Sequence, residues 1–492
     1  MKFSFRGHLG WILLCVLLVM SLLLASQAPA VDAGRRGAGP DSVAGQENQR
    51  SADLPAMEAS DQLSQTVYLP AVYQTFGAYR PFSFGVQVYG VYEETTARAV
   101  GTGAGWVRMP LSWVAIEPEN TTPEHYRWSP GLEAELRSYA STGIRVIFTL
   151  TSNPLWAAEF PGGPVHEEDV GELVEFLQTV VARYGAAPYN VKHWEIYNEP
   201  DNGDLGYASV GWGYFGDDPQ AYVDLLEAVY QPIKAIDPEA QVLFGGLAYD
   251  NWEPYGPFVM TFLDDVLTLM QGHGSYPFDM MNFHYYPVFW ANWEPYGTDI
   301  IGKAEFIRDK LLTYGVNRPL ICTEAGLWSD CRDPEDDVVC SSYEEQSRYV
   351  PRLYARGEAA DLKTNIWFML VDSENPYDYK HGLLENDLEP KPAFAAYQVL
   401  AEQLTSADYV RTLAPNETGS EQIEAYEFLC EEGPERVIVA WANDESNHIM
   451  VLAGSCLTIT DKYGVESDPI CDGGDGVIEV SIGPSPVYLR VP

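Results

Sequence analysis

Eight short runs of β-branched and aromatic residues recur between residues 82 and 372, and stretches with the hydrophobic period of an α-helix separate them. Such an alternation is typical of βα units, in which parallel strands form one sheet that helices cover. The pattern therefore predicts an α/β fold. The eight runs are FSFGVQVYG (82–90), GWVRMP (105–110), RVIFTLTSN (145–153), VKHWEIYNE (191–199), QVLFGG (241–246), FDMMNFHYYP (278–287), RPLICTEAG (318–326) and TNIWFMLVD (364–372).

The number of units favours a closed (β/α)8 barrel, the TIM barrel, which we place at residues 76–402. Eight strand and helix pairs fit this fold at the large end of its usual size range. A doubly wound sheet is the alternative, but no glycine-rich phosphate-binding fingerprint follows any of the strands. The barrel is therefore the preferred architecture.

The helical period disappears after the barrel, and short alternating runs separated by Gly, Pro and Asp replace it. These runs are ERVIVAWAND (435–444), LTITDKYG (457–464), GVIEVSI (476–482) and PVYLRV (486–491). Period-two alternation between turn residues is typical of antiparallel strands. We predict a small C-terminal β-sandwich domain over residues 403–492.

The N-terminus has the charged, apolar and small-residue parts of a secretory signal, which we assign to residues 1–30. Lys2 and Arg6 precede an apolar run, and Ala28 and Ala30 offer a cleavage site near residue 30. An uncleaved membrane anchor is the alternative, because the apolar stretch is long enough to span a bilayer. Both readings place the protein outside the cell, either secreted or tethered to the surface.

Residues 31–75 are rich in Gly, Ala, Ser, Gln and charge, and we predict a disordered linker there. The whole chain has 29 Lys and Arg against 71 Asp and Glu, a formal net charge of −42. Such a balance repels phosphate backbones and anionic lipid surfaces. Nucleic acid is therefore excluded as an expected partner, and the oligomeric state stays open.

Six cysteines remain once the predicted signal is removed, and export permits disulfides. Cys331 with Cys340, and Cys456 with Cys471, would each close a short loop, but six cysteines allow many pairings and the sequence does not choose among them. No cysteine spacing resembles a zinc site. We expect no metal.

Two glutamates stand where barrel strands are predicted to end. Glu199 follows the fourth run in WEIYNEP, and Glu324 closes the seventh in ICTEAG. Working residues of such barrels lie at the C-terminal ends of strands. Two carboxylates across a barrel mouth suit glycosidic cleavage, in which one protonates the leaving oxygen and the other attacks or stabilises the sugar.

WEIYNEP and TEAG resemble the acid/base and nucleophile strands of the retaining (β/α)8 glycosidase clan, clan A, nearest to the β-xylosidase-like family 39. The resemblance covers residues 82 to 400. It implies that Glu199 is the general acid/base, that Glu324 is the nucleophile, and that Asn198 binds the sugar hydroxyl next to the reacting carbon.

The same resemblance implies supporting roles for three other strand-end residues. Arg108 would support the nucleophile by charge and hydrogen bonding, and His284 and Tyr286 in NFHYYP would contact the nucleophile and the substrate. An ordinary ion pair and packed side chains are the alternatives. Glu195, also in the fourth run, is expected to point into the polar barrel interior and is not counted as catalytic.

Aromatic side chains near the mouth can stack on the apolar faces of sugar rings. Trp156 and Trp367 are the candidates we place in substrate binding, with Trp328 near the seventh strand. The hexapeptide NWEPYG occurs at 251–256 and again at 292–297. It either binds sugar or forms a shared turn, and the sequence leaves both open.

These observations predict a retaining β-glycosidase that acts on an oligo- or polysaccharide by double displacement with two glutamates and needs no cofactor. An endo-acting β-glycanase is the alternative among enzymes. A catalytically inactive carbohydrate-binding surface protein is the alternative from a different class. The sugar and its linkage stay open.

Overall fold

The computed structural model describes residues 84–90, 92–330, 340–375, 378–430 and 435–491. The predicted signal peptide, the predicted linker and Cys331 lie outside these ranges. Within the described ranges, none of the helices has the length and apolar character needed to span a bilayer.

Eight parallel strands form the first sheet, in the order β5-β4-β3-β2-β1-β8-β7-β6. Isolated parallel bridges pair Leu243 with Met280 and Leu247 with Phe283, so the chain after β5 meets the chain around β6. The sheet is thereby closed into a ring, and the predicted (β/α)8 barrel is confirmed. The strands are Phe84–Gln87 (β1), Trp106–Ser112 (β2), Arg145–Thr151 (β3), His193–Glu195 (β4), Gln241–Leu243 (β5), Met281–Tyr285 (β6), Leu320–Ala325 (β7) and Leu362–Trp367 (β8).

Helices connect successive strands around the outside of the ring. They are Glu93–Gly101 (α1), Trp113–Ile116 (α2), Pro130–Thr142 (α3), Val170–Tyr184 (α4), Leu205–Ala208 (α5), Pro219–Ile236 (α6), Phe262–His273 (α7), Ile300–Thr313 (α8), Tyr343–Ala359 (α9) and Pro392–Leu404 (α10). In α4 the residues at helical spacing from Leu173 to Tyr184 are buried, which gives the helix one apolar face for the barrel. Helix α6 begins at Pro219, and the Asp218 side chain accepts a hydrogen bond from the Ala221 amide.

The interior of the barrel is layered. A small apolar cluster fills its lower part, made by Trp106, Ile147, Leu243, Ile321 and Ile366. Gly85 belongs to this level, and a Cβ atom there would lie 2.1 Å from Ile366 Cδ1, so glycine leaves the room that this layer needs. Two residues further along β1, β2, β3 and β7, the side chains with the same inward direction are polar and form a second layer toward the C-terminal ends, namely Gln87, Arg108, Thr149 and Thr323.

A second domain follows helix α10. Its strands are Ala407–Thr412 (β9), Ile423–Cys430 (β10), Arg436–Ala442 (β11), His448–Ala453 (β12), Cys456–Asp461 (β13), Ile470–Cys471 (β14), Val477–Ile482 (β15) and Val487–Val491 (β16), and Pro415–Thr418 (α11) lies between β9 and β10. They form an antiparallel six-stranded sheet and a β12-β15 pair. The predicted C-terminal antiparallel β-domain is confirmed.

Alternation along β11 divides its side chains between two cores. Ile438 and Ala440 pack with Met450 and Val480 of the smaller sheet. Val439 and Trp441, on the opposite face, join the large apolar cluster that also contains the barrel residues. The six-stranded sheet is thus covered on both faces, by the β12-β15 pair and by the barrel.

Cys456 and Cys471 form a disulfide between β13 and β14, one of the pairings considered from the sequence. Cys340 is disulfide-bonded as well. Cys322 and Cys430 are free.

Candidate active site

A cavity of about 200 Å³ opens at the C-terminal ends of the barrel strands. Six residues named from the sequence line it, namely Asn198, Glu199, His284, Tyr286, Glu324 and Trp328. They come from β6 and β7, the chain just after these two strands, and the segment after β4. The barrel therefore brings together side chains that are far apart in the chain.

Glu199 stands beyond its strand rather than at the end of it. The fourth run was predicted to extend to residue 199, but β4 ends at Glu195. Tyr197 and Glu199 have φ angles of 66° and 49°, in the left-handed region that side chains rarely adopt. The Glu199 amide donates to the Gly246 carbonyl at 2.9 Å, which holds this unusual backbone in place. Such strain is often found at functional sites.

Glu324 lies on β7 and is almost fully buried, with both carboxylate oxygens engaged. Arg108 Nη1 donates to its Oε1 at 2.6 Å, and the Tyr286 hydroxyl donates to its Oε2 at 3.1 Å. Hydrogen bonds from a guanidinium and a phenol stabilise the ionised form of a carboxyl group.

Arg108 is the centre of a buried polar network. Its Nε donates to Glu195 Oε2 at 2.7 Å, and its Nη2 donates to Asn198 Oδ1 at 2.6 Å. Glu195 lies in the barrel interior, as expected, and is fully buried. It also accepts hydrogen bonds from Thr149, Gly246, Asn282 and Thr323. Because every charge is paired, this layer can hold Arg108 rigidly under Glu324 and Asn198.

The two glutamates are close enough to act on one bond. One carboxylate oxygen of Glu199, one ring nitrogen of His284 and one carboxylate oxygen of Glu324 all lie within 4.8 Å of one another. Carboxyl groups of retaining glycosidases are about 5 to 5.5 Å apart, and those of inverting ones about 6.5 to 9.5 Å. Three such ligands could also attract a cation, but Arg108 and Tyr286 already occupy the Glu324 oxygens, and the guanidinium charge opposes a second cation.

The surroundings of Glu199 favour its protonated form. Burial, followed by the charge of Glu324, raises the pKa of Glu199 well above its usual value. His284 Nδ1 lies 3.0 Å from Glu199 Oε1, whereas Oε2 has no hydrogen-bond partner among the described residues. Burial, then the charges of Arg108 and Lys303, lowers the pKa of His284 well below its usual value. His284 is therefore neutral and does not hold Glu199 as an ion pair.

The surroundings of Glu324 act in two directions. Burial raises the pKa of Glu324 above its usual value, and the charge and hydrogen bond of Arg108 offset only part of this rise. Glu324 thus accepts hydrogen bonds from a guanidinium and a phenol, whereas among the described residues no hydrogen-bond donor of comparable strength contacts Glu199. When the pair shares one proton, we expect the proton on Glu199 and the negative charge on Glu324.

Gly246 allows His284 to occupy its place. A Cβ atom at position 246 would lie 2.1 Å from His284 Nε2. That nitrogen is 3.2 Å from the Thr323 hydroxyl, so the ring is fixed from both sides. Nothing in the sequence around Gly246 indicates this requirement.

The structure does not bring Trp156 and Trp367 to the cavity. Trp367 is completely buried, and its indole nitrogen donates to the His381 carbonyl at 3.0 Å. Trp156 packs edge-on against Trp113 at a centroid distance of 5.2 Å. The cavity lining includes neither residue, and we do not retain them as sugar contacts.

Several aromatic residues that were not selected from the sequence line the cavity instead. They are Tyr89, Tyr207, Trp212, Phe258, Phe289, Phe368 and Tyr379. Ile366 belongs to the interior layer, so the next inward position on this strand is residue 368. Counting this alternation in TNIWFMLVD would have selected Phe368 rather than Trp367.

One wall of the cavity is built by two interlocked loops. Trp328, after β7, packs against Tyr379 at a centroid distance of 4.7 Å, and both rings line the cavity. The Lys380 carbonyl accepts hydrogen bonds from the Ser329 amide at 2.9 Å and the Gln346 side chain at 3.3 Å. The buried network under the loops fixes the position of this aromatic wall.

The two NWEPYG segments pack against each other. Trp252 and Trp293 meet edge-on at 5.7 Å, and the Trp293 indole donates to Asp250, which lines the cavity. Trp293 is buried, whereas Tyr255 and Tyr296 are exposed. The tryptophans of the repeat therefore support the cavity rather than contact a ligand.

Comparisons with known proteins agree with this fold. The family model Cellulase (glycosyl hydrolase family 5) matches residues 75–354. No curated protein matches the chain in sequence. The fold is similar to that of a family 39 glycoside hydrolase from the gut symbiont Bacteroides cellulosilyticus WH2, with 20% identity, a TM-score of 0.63, and coverage of 84% of this chain and 81% of that chain.

Two further solved structures share the fold. One is a GH30 endoxylanase from Clostridium papyrosolvens C71, with 13% identity, a TM-score of 0.57, and coverage of 83% of this chain and 95% of that chain. The other is a conserved exported protein from Bacteroides fragilis, with 12% identity, a TM-score of 0.56, and coverage of 80% and 89%. The resemblance to clan A drawn from the two glutamate motifs is confirmed.

Proposed function

The chain belongs to the cellulase family, glycosyl hydrolase family 5, and from this premise we propose a retaining β-glycosidase with Glu324 as nucleophile and Glu199 as general acid/base. The proposal depends on one observation. Two buried glutamates at the barrel mouth have one carboxylate oxygen each within 4.8 Å of the other's, and their hydrogen-bond partners are unequal.

In the first step Glu324 attacks the anomeric carbon of the sugar, and the bond to the leaving oxygen breaks. Glu199 gives its proton to that oxygen, so the aglycone leaves as a neutral alcohol. Because His284 engages Oε1, Oε2 is the oxygen free to deliver the proton. The product of this step is a glycosyl ester on Glu324.

In the second step a water molecule takes the place of the aglycone. Glu199, now ionised, accepts a proton from the water, and the resulting oxygen attacks the anomeric carbon from the face opposite Glu324. The ester bond breaks and Glu324 leaves as a carboxylate. Two inversions retain the β configuration, and Glu199 is again protonated.

Arg108, Tyr286 and Asn198 position the reacting groups in this scheme. Arg108 and Tyr286 hold the two oxygens of Glu324, so one lone pair of the carboxylate can be directed at the sugar. Arg108 also holds the carbonyl oxygen of Asn198, which leaves the Asn198 amide nitrogen for the sugar hydroxyl beside the reacting carbon. The Arg108 guanidinium thus positions both the nucleophile Glu324 and the Asn198 amide group that donates to the substrate.

We propose an extracellular location. The Cys456–Cys471 disulfide suits an oxidising compartment, and one of the structural neighbours is described as an exported protein. A signal peptide at residues 1–30 would provide the route, and terminal sequencing of secreted protein tests it.

Incubation with a panel of nitrophenyl β-glycosides tests the function, with proton NMR of the first product formed. We expect turnover of at least one member and initial release of the β-anomer, because the proposed double displacement inverts the anomeric carbon twice. Initial release of the α-anomer would show inversion and contradict the assignment of Glu324. No turnover of any glycoside would favour the inactive carbohydrate-binding protein.

The unequal environments of the glutamates predict a bell-shaped pH profile of kcat/KM. Activity needs Glu324 ionised and Glu199 protonated, so it falls at low pH as Glu324 gains a proton and at high pH as Glu199 loses its own. Burial and the Glu324 charge raise the pKa of Glu199, which moves the alkaline limb upward from that of a free glutamate. In Glu199→Gln, assayed with an activated leaving group, the alkaline limb should disappear while the acid limb stays. An unchanged alkaline limb would show that another group controls it.

A further inference from the structure

A buried carboxylate that the proposed mechanism does not use lies two residues after Glu199. Asp201 is completely buried, and its two oxygens accept hydrogen bonds from the Ala248 amide at 3.2 Å and the Tyr249 amide at 2.7 Å. Tyr249 has a φ angle of 44°, in the left-handed region that side chains rarely adopt. The Asp201 side chain therefore holds a strained turn after β5 against the chain that carries Glu199.

This segment after β5, residues 246–250, is also bonded directly to Glu199 and to His284. The Gly246 carbonyl accepts a hydrogen bond from the Glu199 amide at 2.9 Å, and the Leu247 carbonyl accepts one from the His284 amide at 2.8 Å. The His284 ring in turn contacts the Glu199 carboxyl group. A shift of the segment 246–250 would therefore move Glu199 and His284 together.

A second anchor reaches the segment 246–250 from helix α8. Lys303 is completely buried, and its ammonium group donates to the Ala248 carbonyl and, at 2.6 Å, to Asp250 Oδ2. Asp250 also accepts a hydrogen bond from the Trp293 indole at 2.8 Å. Ala248 is thus bonded at its amide by Asp201 and at its carbonyl by Lys303.

The charge of Asp201 acts on Glu199. Burial raises the pKa of Asp201 to about 6, against the hydrogen bond from the Tyr249 amide and the charge of Lys303, which lower it. Asp201 is therefore ionised at neutral and alkaline pH. Its negative charge joins burial and the charge of Glu324 in raising the pKa of Glu199.

Other charged and titratable groups face Glu199 and Asp201 from several elements. They are Tyr89 after β1, Arg108 on β2 with its partner Glu195, Tyr222 on α6, Tyr249 after β5, His284 on β6, Tyr286 after β6, Lys303 on α8 with its partner Asp250, and Glu324 on β7. Burial raises the pKa of each of the four tyrosines, so they stay neutral across the range of activity. Arg108 and Glu324 already have roles in the mechanism, whereas Asp201 and Lys303 have none.

We propose that Asp201 is a positioning residue for the general acid/base, and that together with Lys303 it fixes the segment 246–250 against Glu199 and sets the upper pH limit of activity. This role rests on the proposed function and adds a residue to it. Asp201 lies outside the lining of the cavity, so it acts through Glu199 and not on the substrate.

Asp201→Asn tests the role with two leaving groups. For a phenyl β-glycoside, whose leaving group needs a proton, we expect kcat/KM to fall about tenfold to a hundredfold, within the contribution of general acid catalysis. The alkaline limb should move down by about half to one pH unit, because a negative charge that favours protonated Glu199 is lost. For a dinitrophenyl glycoside, which needs no acid, kcat/KM should fall less than about threefold. A purely structural defect would lower both substrates equally.

Asp279→Asn is the matched control. Asp279 precedes β6 at the opposite end of the strands, and its Oδ2 accepts hydrogen bonds from the Val242 amide of β5 at 2.9 Å and from Lys234 at 3.1 Å. This variant also removes a carboxylate that a β5 amide contacts, but far from Glu199. Its pH profile and its dependence on the leaving group should match those of the parent protein.

Two further variants separate the possible outcomes. The double variant Glu199→Gln, Asp201→Asn should lose no more activity than Glu199→Gln alone, because Asp201 acts through Glu199. Lys303→Gln keeps donors for Ala248 and Asp250 but removes a positive charge. It should show the same selective loss on the phenyl glycoside, with an alkaline limb at or above that of the parent, and it decides the question if Asp201→Asn does not fold.

An unmoved alkaline limb in Asp201→Asn, an equal loss on both leaving groups, additive losses in the double variant, or a limb below that of the parent in Lys303→Gln would each overturn the role of Asp201. The proposed function would still stand if the alkaline limb disappears in Glu199→Gln. A limb that survives in Glu199→Gln would overturn both.

Discussion

Glu324→Gln is expected to lower kcat/KM for every β-glycoside by about 10⁴-fold or more, the scale of loss seen when an enzymatic nucleophile is removed. An amide cannot form the glycosyl ester, and good leaving groups do not help because no group is left to attack. Arg108 keeps its ion pair with Glu195, so the buried guanidinium stays compensated and the barrel should fold. Steady-state kinetics with activated and unactivated substrates measure the loss.

Two controls make this result specific. Glu119→Gln changes a largely exposed glutamate at the barrel surface and should leave kcat/KM unchanged. Thermal unfolding and circular dichroism of Glu324→Gln should match the parent protein within a few degrees. A folded Glu324→Gln variant that keeps more than about one per cent of the parent activity would exclude Glu324 as the nucleophile.

Glu199→Gln is expected to fail in a different way. General acid catalysis contributes about 10² to 10⁴-fold, so substrates with poor leaving groups should lose activity by that factor or more. A dinitrophenyl glycoside needs no proton on its leaving group, so glycosylation of Glu324 should still occur. Hydrolysis of the ester then stalls, because the base that activates water is missing.

Rapid mixing and intact-protein mass spectrometry detect this behaviour. With a dinitrophenyl glycoside, Glu199→Gln should show a burst of phenol equal to the enzyme concentration and a mass increase of one glycosyl group. Azide, which needs no base, should accelerate turnover and yield a β-glycosyl azide. If activated and unactivated substrates lose activity equally, with no burst, Glu199 is not the acid/base.

The element order and the two glutamates could be predicted from local pattern alone. Hydrophobic period distinguishes strands from helices, and eight βα units in succession leave few closed arrangements. Glu199 and Glu324 could be identified because each is a carboxylate at the end of an apolar run, where a charged side chain is unusual. The short runs after the barrel likewise predicted antiparallel strands, although they could not tell which core each face of β11 would join.

Other features depend on closure of the barrel and could not be predicted. The Arg108 network joins β1, β2, β4 and β7 across more than two hundred positions of chain, and no local pattern records which carboxylates will surround one guanidinium. The end of β4 was placed four residues too far, because a hydrogen bond to Gly246 of the neighbouring segment sustains the left-handed turn at Glu199. Trp367 was selected for its chemistry, but strand alternation directs Phe368 inward.

The sequence by itself therefore determined the fold class, which follows from hydrophobic periodicity. It also identified the pair of glutamates, because each is a charged residue at the end of a run whose pattern is that of an apolar strand. Tertiary structure alone decided which aromatic rings line the cavity and which hydrogen-bond partners each of the two glutamates has. These properties arise from distances between side chains on different strands and loops. Such distances are set by how the ring closes and how the loops pack over it, and not by any short stretch of the chain.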